Sequence, residues 1–258
     1  MRVHFIKALL IFTAGVGFLV LPPNARAQTV DPDARSVLVA MSSYLGGLKS
    51  FSVETFTVDE VITVEGQKLQ YLHSGEVVLQ RPDKLYIARK GAAGGAGMLV
   101  NEKGLTVVAK EANAYLQLDA SSIDAAIDVM RGLGFDAPGA DLLATKPLDD
   151  STTDITSGAH MGMTTIDGLE THQLAFRGKD VDWQLWVTTG DKPLPLRYVI
   201  TSKSAPGALQ YTLELRNWNV APQIDATRFV FEPPQGAKKL NPTSISVNAV
   251  GDMTIKGE

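Results

Sequence analysis

The sequence predicts a mainly β, α+β fold: a curved antiparallel sheet forming an unclosed half-barrel, with an N-terminal helix and two short lid helices. Three observations predict it. From Phe51 onward apolar and polar residues alternate almost to the end of the chain, which is the period of a strand. Turn pairs such as Glu65-Gly66, Lys103-Gly104 and Asp167-Gly168 join these runs, and the connections are too short for parallel crossovers. Helical spacing is confined to a stretch before the first strand and a stretch between two blocks of strands.

Met1 to Ala27 has the pattern of a secretory signal peptide. Arg2 and Lys7 precede an apolar run from Ala8 to Leu21, and Ala25-Arg26-Ala27 supplies a small-x-small end. The run is shorter than the ~20 residues that span a bilayer. Cleavage after Ala27 leaves Gln28 first, a single domain over 28–240 and a C-terminal tail over 241–258. It also removes three cations, leaving 21 basic residues against 28 acidic ones. The 258-residue chain has no cysteine, so lipid anchoring at a cleavage-site thiol, disulfide scaffolds and cysteine nucleophiles are all excluded. A soluble acidic exported protein of this kind fits a bacterial periplasm. Its formal charge of −4 offers no basic patch for nucleic acid.

Asp31 to Leu48 reads as the first helix. Val37, Leu38, Met41, Tyr44, Leu45 and Leu48 fall at helical spacing, Asp31 is an N-cap, Pro32 opens the first turn, and Gly46-Gly47 ends it. Strands are expected near 51–64, 68–81, 85–90, 98–101, 105–109, 114–118, 152–162, 164–177, 182–188, 196–203 and 209–220, with a last short one at 228–231. Between the two blocks, Ser121 to Gly132 carries Ile123, Ile127 and Met130 on one side of a helix. A shorter helix, Ala140 to Thr145 with Leu142 and Leu143, follows the Pro138-Gly139 turn.

Ten or more antiparallel strands in one sheet must curl, and beyond about eight they enclose more room than their side chains easily fill. Strand parity places Val77 with Leu79, Leu85 with Ile87, Leu174 with Phe176, Trp183 with Leu185, and Tyr211 with Leu213 on an apolar face. Those ten residues are the expected cavity wall, although the same alternation also describes an ordinary packed core.

Three stretches resemble the periplasmic carrier that ferries lipoproteins to the outer membrane: LGGLKSF (Leu45 to Phe51), GEVVLQRPDKLY (Gly75 to Tyr86) and ATRFVFEPPQGA (Ala226 to Ala237). The middle of the chain is more similar to a family of predicted periplasmic proteins without assigned activity, through ADLL (Ala140 to Leu143), GLETHQLAFRGKDVDWQLWV (Gly168 to Val187) and GDKPLPLRYVIT (Gly190 to Thr201). The resemblance implies an unclosed barrel with a helical lid over an apolar cavity. It also implies a role for Arg81. In the carriers the arginine of the matching Arg-Pro pair holds the lid helices through their carbonyls, so Arg81 is the expected lid latch. On its own residues, Arg81 shares parity with Val77 and Leu79 and needs partners if buried, or else its head escapes to solvent at the strand end.

The remaining residues carry little chemistry. His172 shares parity with Leu174 and Phe176 and reads as a hydrogen-bonded core histidine before a ligand; neither His73 nor His160 stands at metal-site spacing from it. The run GAAGGAG (Gly91 to Gly97) lacks the order of a phosphate loop and reads as a flexible connection between strands. No nucleophile elbow, HExxH pair or calcium loop occurs, and Asp59, Glu60, Asp180 and Asp182 show no pairing in their spacing. No cofactor and no metal are expected. The leading expectation is a periplasmic carrier-like protein binding a lipid, acyl chain or lipoprotein. The alternative is a sensor or protein-interaction module of the same fold, meeting a periplasmic or membrane protein, and the third is an unrecognised hydrolase. N-terminal sequencing of the exported protein should begin at Gln28, and a membrane-bound product beginning at Met1 would remove the signal peptide.

Overall fold

The computed structural model describes residues 29–92, 94–135, 138–148, 154–247 and 253–255. The expected signal peptide and its cleavage site lie outside the described residues. Helix α1 (Pro32–Gly47) starts where the sequence indicates, with the Asp31 carboxylate accepting from the Asp33 amide at 2.9 Å and proline at the first position. Ala34, Leu38, Met41 and Leu45 form its buried stripe. Gly46 and Gly47 do not cap it in a left-handed turn, because Leu48 follows in extended geometry. A Cβ on Gly46 would sit 2.5 Å from the Thr145 carbonyl oxygen, so this glycine marks a close approach between α1 and the segment that follows the lid.

Two antiparallel meanders make up the sheet. The first contains β1 (Ser50–Ile62), β2 (Lys68–Gln80), β3 (Lys84–Gly91), β4 (Gly94–Asn101), β5 (Gly104–Ala109) and β6 (Ala114–Leu118). Helix α2 (Ile123–Gly132) and a 3-10 turn at Ala140–Leu142 follow. The second meander contains β7 (Ser157–Ile166), β8 (Leu169–Arg177), β9 (Val181–Thr188), β10 (Pro195–Ser202) and β11 (Gln210–Asn219). Pairing of β1 with β11 joins the two into one sheet of twelve strands whose order is β12-β6-β5-β4-β3-β2-β1-β11-β10-β9-β8-β7, with β12 at Lys238–Lys239.

Four local expectations are corrected. The strand expected at 228–231 is a 3-10 turn, Ala226–Phe229, because Asp225 accepts from the Thr227 amide and starts a turn. Phe229 is buried there, with its carbonyl taking the Asn101 Nδ2 donor at 2.8 Å. The strand that ends the sheet is β12, which pairs parallel with β6, so the all-antiparallel expectation fails at this one edge. The 220–237 connection is long enough to permit the parallel return. Next, the break expected at Met163 is absent: β7 runs on through a bulge between His160 and Gly162, and the turn falls at Asp167-Gly168, both with positive φ. The glycine-rich run is not a loop throughout, since Gly94 to Gly97 are paired in β4. The 241–258 segment contains a 3-10 turn at Pro242–Ser244 and a two-stranded ribbon of β13 (Ile245–Val247) and β14 (Met253–Ile255).

Side chains on the inward face stand on rungs that cross the first meander, large and apolar on the first two and, apart from Arg89 and His73, small on the next two. Phe51, Leu79, Leu85, Val100 and Leu105 form one rung, each 1% exposed or less. Val53, Val77, Ile87, Met98 and Val107 form the next. Then come Thr55, Gly75, Arg89, Ala96 and Ala109, and beyond them Thr57, His73 and Gly91. The first rung is packed in one core with α1 and α2, while the later rungs leave space. Leu105→Ala should therefore cost about 2–5 kcal/mol of stability. Urea denaturation checks this, and a loss under about 1 kcal/mol would show that the rung is not tightly packed.

Candidate functional site

The space left by the small rungs is a cavity of about 930 Å³ between the sheet and the α2 to Leu143 segment. Of the expected wall residues, Val77, Leu85, Ile87, Trp183, Tyr211 and Leu213 line it. Ile127, Met130, Leu142 and Leu143 line it from the lid side. Leu79, Leu174, Leu185 and Phe176 do not. Leu79, Leu174 and Leu185 are fully buried in the core, and Phe176 stacks on Trp183 at 4.2 Å. Phe176 also borders a smaller hollow beside Leu38, Ser42 and Gly46 of α1. Ile123, expected on the lid's inner side, is 1% exposed and packs in the core at the root of α2. These side chains share the parity of the wall, but parity does not say how far along the strand the helices cover it.

The Arg81-Pro82 turn is hydrogen-bonded to both segments that cover the cavity. The Pro82 carbonyl accepts from the Ile123 amide at 3.0 Å and so fixes the start of α2. The Arg81 guanidinium turns into the protein, and its Nη1 donates to the Leu143 carbonyl at 2.8 Å. That carbonyl is available for a local reason. In an α-helix it would accept from residue 147, which is Pro147 and has no N–H. The helix expected over Ala140 to Thr145 is only a single 3-10 turn, because the Thr145 amide donates to the Asp124 carboxylate and not to the Asp141 carbonyl that an α-helix would require. Asp124 of α2 completes the attachment, accepting from the Thr145 amide at 2.8 Å and the Thr145 hydroxyl at 2.6 Å, and Arg131 pairs with Asp141. Nε and Nη2 of Arg81 are buried without a partner among the described residues. Burial pulls the guanidinium below its ordinary value, and the Asp124 carboxylate opposes that shift.

Farther out along the strands the wall is polar, which the sequence reading missed. Arg89 Nη2 donates to Asp59 Oδ2 at 2.7 Å and lies 2.8 Å from His73 Nδ1, which is itself 3.2 Å from Asp59 Oδ2. Register brings the three together: His73 faces Gly91, two residues beyond Arg89 on β3, and Asp59 stands two residues beyond Thr57, the partner of His73. A Cβ on Gly91 would lie 2.0 Å from His73 Cδ2, so the ring occupies space that only glycine leaves. The signal was present in parity, since Asp59 alternates in step with Val53, Thr55 and Thr57, and Arg89 with Leu85 and Ile87. Asp59 and Glu60 do not pair as catalytic carboxylates; Glu60 binds Lys68 at 3.1 Å and the Gln210 amide at 2.9 Å. Burial, the largest single effect, pushes the Glu60 carboxyl up, but the bonds from Gln210, Lys68 and Gln70 together outweigh it and hold the carboxyl below its ordinary value. Asp182 pairs with Lys203 at 3.4 Å.

A family model of predicted periplasmic proteins, DUF2092, matches residues 34–241. The chain belongs to this family. The solved structures similar to it include LprF from Mycobacterium bovis, at 17% identity over 76% of this chain and 98% of that one with a TM-score of 0.48. The lipoprotein LppX from Mycobacterium tuberculosis is 14% identical over 76% of this chain and 100% of that one, with a TM-score of 0.43. A LolA superfamily protein from Nitrosomonas europaea is 13% identical over 75% and 96%, with a TM-score of 0.35. No curated protein matches.

In this DUF2092 protein His172 lies away from the cavity, at the far end of its strand. Its Nδ1 is 2.9 Å from His160 Nε2 across the β7–β8 hairpin, a pairing that no sequence spacing announced. Burial, helped by His160, holds the His172 imidazole below its ordinary value. No group of three or more possible metal ligands occurs among the described residues. For the lid, Arg81→Leu should raise hydrogen exchange in α2 and in 138–148 while β1 to β3 stay protected. A charge-assisted bond contributes about 1.5–3 kcal/mol, so the opened population should rise on the order of tenfold or more. Lysine should rescue poorly, and unchanged exchange would show that the bond does not hold the lid.

Proposed function

We propose that this protein is a carrier-type periplasmic protein that shelters an acyl chain or lipid in the cavity under α2. The observation that carries this reading is the unfilled volume itself: about 930 Å³, faced by Val77, Ile87, Trp183 and Leu213 from the sheet and by Ile127, Met130 and Leu142 from the lid. It stands at the upper end of the ~300–1,000 Å³ usual for ligand sites. Each buried methylene contributes about 0.8 kcal/mol, so ten contribute about 8 kcal/mol, against an association cost of roughly 4–15 kcal/mol. The balance gives exchangeable binding, which suits a carrier. In this reading Arg81 is the latch and α2 with Ala140–Leu142 the lid, hinged on either side of the Arg81-Pro82 turn. A second reading, a protein-interaction module, is supported by β7, an edge strand whose Met161 and Met163 are exposed.

The test uses the neutral apolar fluorophore N-phenyl-1-naphthylamine. It should bind saturably, and Ile87→Asp should weaken it about tenfold or more while the circular dichroism stays native. Absence of saturable binding to the folded protein would remove the carrier reading. Native mass spectrometry of protein purified gently after export should then show a bound lipid, whereas an empty cavity with a co-purified polypeptide would favour the second reading.

A further inference from the structure

Three hydroxyl groups stand on the cavity wall without a protein partner among the described residues. Thr57 is 7% exposed, lines the cavity, and its Oγ1 is buried with no hydrogen bond. Tyr198 is 3% exposed and lines the cavity with its ring edge-on to Trp183 at 5.8 Å. Tyr211 lines the cavity opposite Asp59. Neither phenol makes a hydrogen bond among the described residues. The three are neighbours by register: Thr57 pairs with Leu213, which pairs with Tyr198, and Tyr211 is the next inward residue before Leu213. Burial pushes both phenols well above their ordinary value, so they remain protonated donors throughout the accessible pH range.

The charges beside them limit what can bind. Asp59 and Arg89 compensate one another at 2.7 Å. The ionisable groups lining the cavity are weighted to carboxylates, with Asp59, Glu60, Asp141, Asp154 and Asp180 against Arg89, Arg131, Lys179 and His73, Glu60 being paired with Lys68 at its edge. An anionic head would add uncompensated charge to an acidic rim, at the cost of burying it. A bare hydrocarbon would leave the three hydroxyls without partners, which also costs free energy. An uncharged group rich in acceptor oxygens avoids both penalties.

Resting on the carrier reading, we infer that the cavity takes a long-chain amphiphile with an uncharged ester or hydroxyl head, of the acylglycerol kind, whose oxygens accept from Tyr198 and Tyr211 beside Thr57. The chain would run toward Val77, Ile87 and Met130, and the head would lie against β1, β10 and β11.

Displacement of bound N-phenyl-1-naphthylamine by sixteen-carbon competitors tests this. Monopalmitoylglycerol should displace the probe at concentrations about tenfold lower than either hexadecane or palmitate, as expected for two neutral hydrogen bonds. Tyr198→Phe and Tyr211→Phe keep the rings and delete only the hydroxyls, and each should reduce the monopalmitoylglycerol-to-hexadecane preference about threefold to fivefold. Thermal melting of each variant confirms the fold. A diacylglyceryl lipopeptide added as a further competitor separates a free glyceride from the same head on a lipid-modified protein. Equal displacement by hexadecane, stronger displacement by palmitate, or a preference that survives in the double phenylalanine variant would overturn the inference. Failure of the probe to bind at all would instead remove the carrier reading on which it rests.

Discussion

Backbone pairing places the inward side chains of neighbouring strands on common rungs, and what stands on each rung decides whether the interior closes or stays open. On the rung of Phe51, Leu79, Leu85, Val100 and Leu105 every member is large and fully buried. Two rungs on, Gly75, Ala96 and Ala109 leave the volume that Arg89 and the cavity occupy. The helices follow this gradient: α1 shares the core of the large rungs, and α2 roofs the small ones. A twelve-stranded sheet needs no special device to make a cavity, only small residues where a core would otherwise be.

The lid depends on a second constraint, which is backbone accounting. Pro147 removes the donor that would have satisfied the Leu143 carbonyl, and Arg81, 62 residues earlier, supplies one from the far side of the cavity. The Pro82 carbonyl supplies the acceptor for the first amide of α2. Neighbouring residues of one tight turn thus hold the two ends of the roof. Among the described residues, Nε and Nη2 of the Arg81 guanidinium are buried without partners, a cost that the single bond to Leu143 has to offset.

Periodicity carried most of the architecture. Strand positions, the capped first helix and the helical insert between two strand blocks were legible because each rests on local pattern and turn chemistry. The strand expected at 228–231 misled because Phe229 and Phe231 alternate like strand residues, while the Asp225 cap and the Pro233-Pro234 pair act on the backbone instead. For the site, parity gave the face but not the depth: Leu79 and Ile87 read alike, yet one is in the core and the other meets the cavity. The Asp59–His73–Arg89 group escaped because it joins three strands through register, which a single sequence does not state. The pairing of His160 with His172 was hidden for the same reason, displaced further by a bulge.

The pairing of β1 with β11 has a consequence for how the molecule assembles. Every other antiparallel pair in the large sheet joins strands adjacent in sequence, whereas Asp59 and Tyr211 are more than 150 residues apart. Each meander can zip up from its own hairpins, but an apolar face stays open to water until this seam forms. Closing this seam carries the largest loop-closure cost of the antiparallel pairings, and it juxtaposes Thr57 and Asp59 with Leu213 and Tyr211. The cavity is therefore not an accessory added to a finished scaffold: the β1–β11 pairing that completes the sheet also completes the cavity wall.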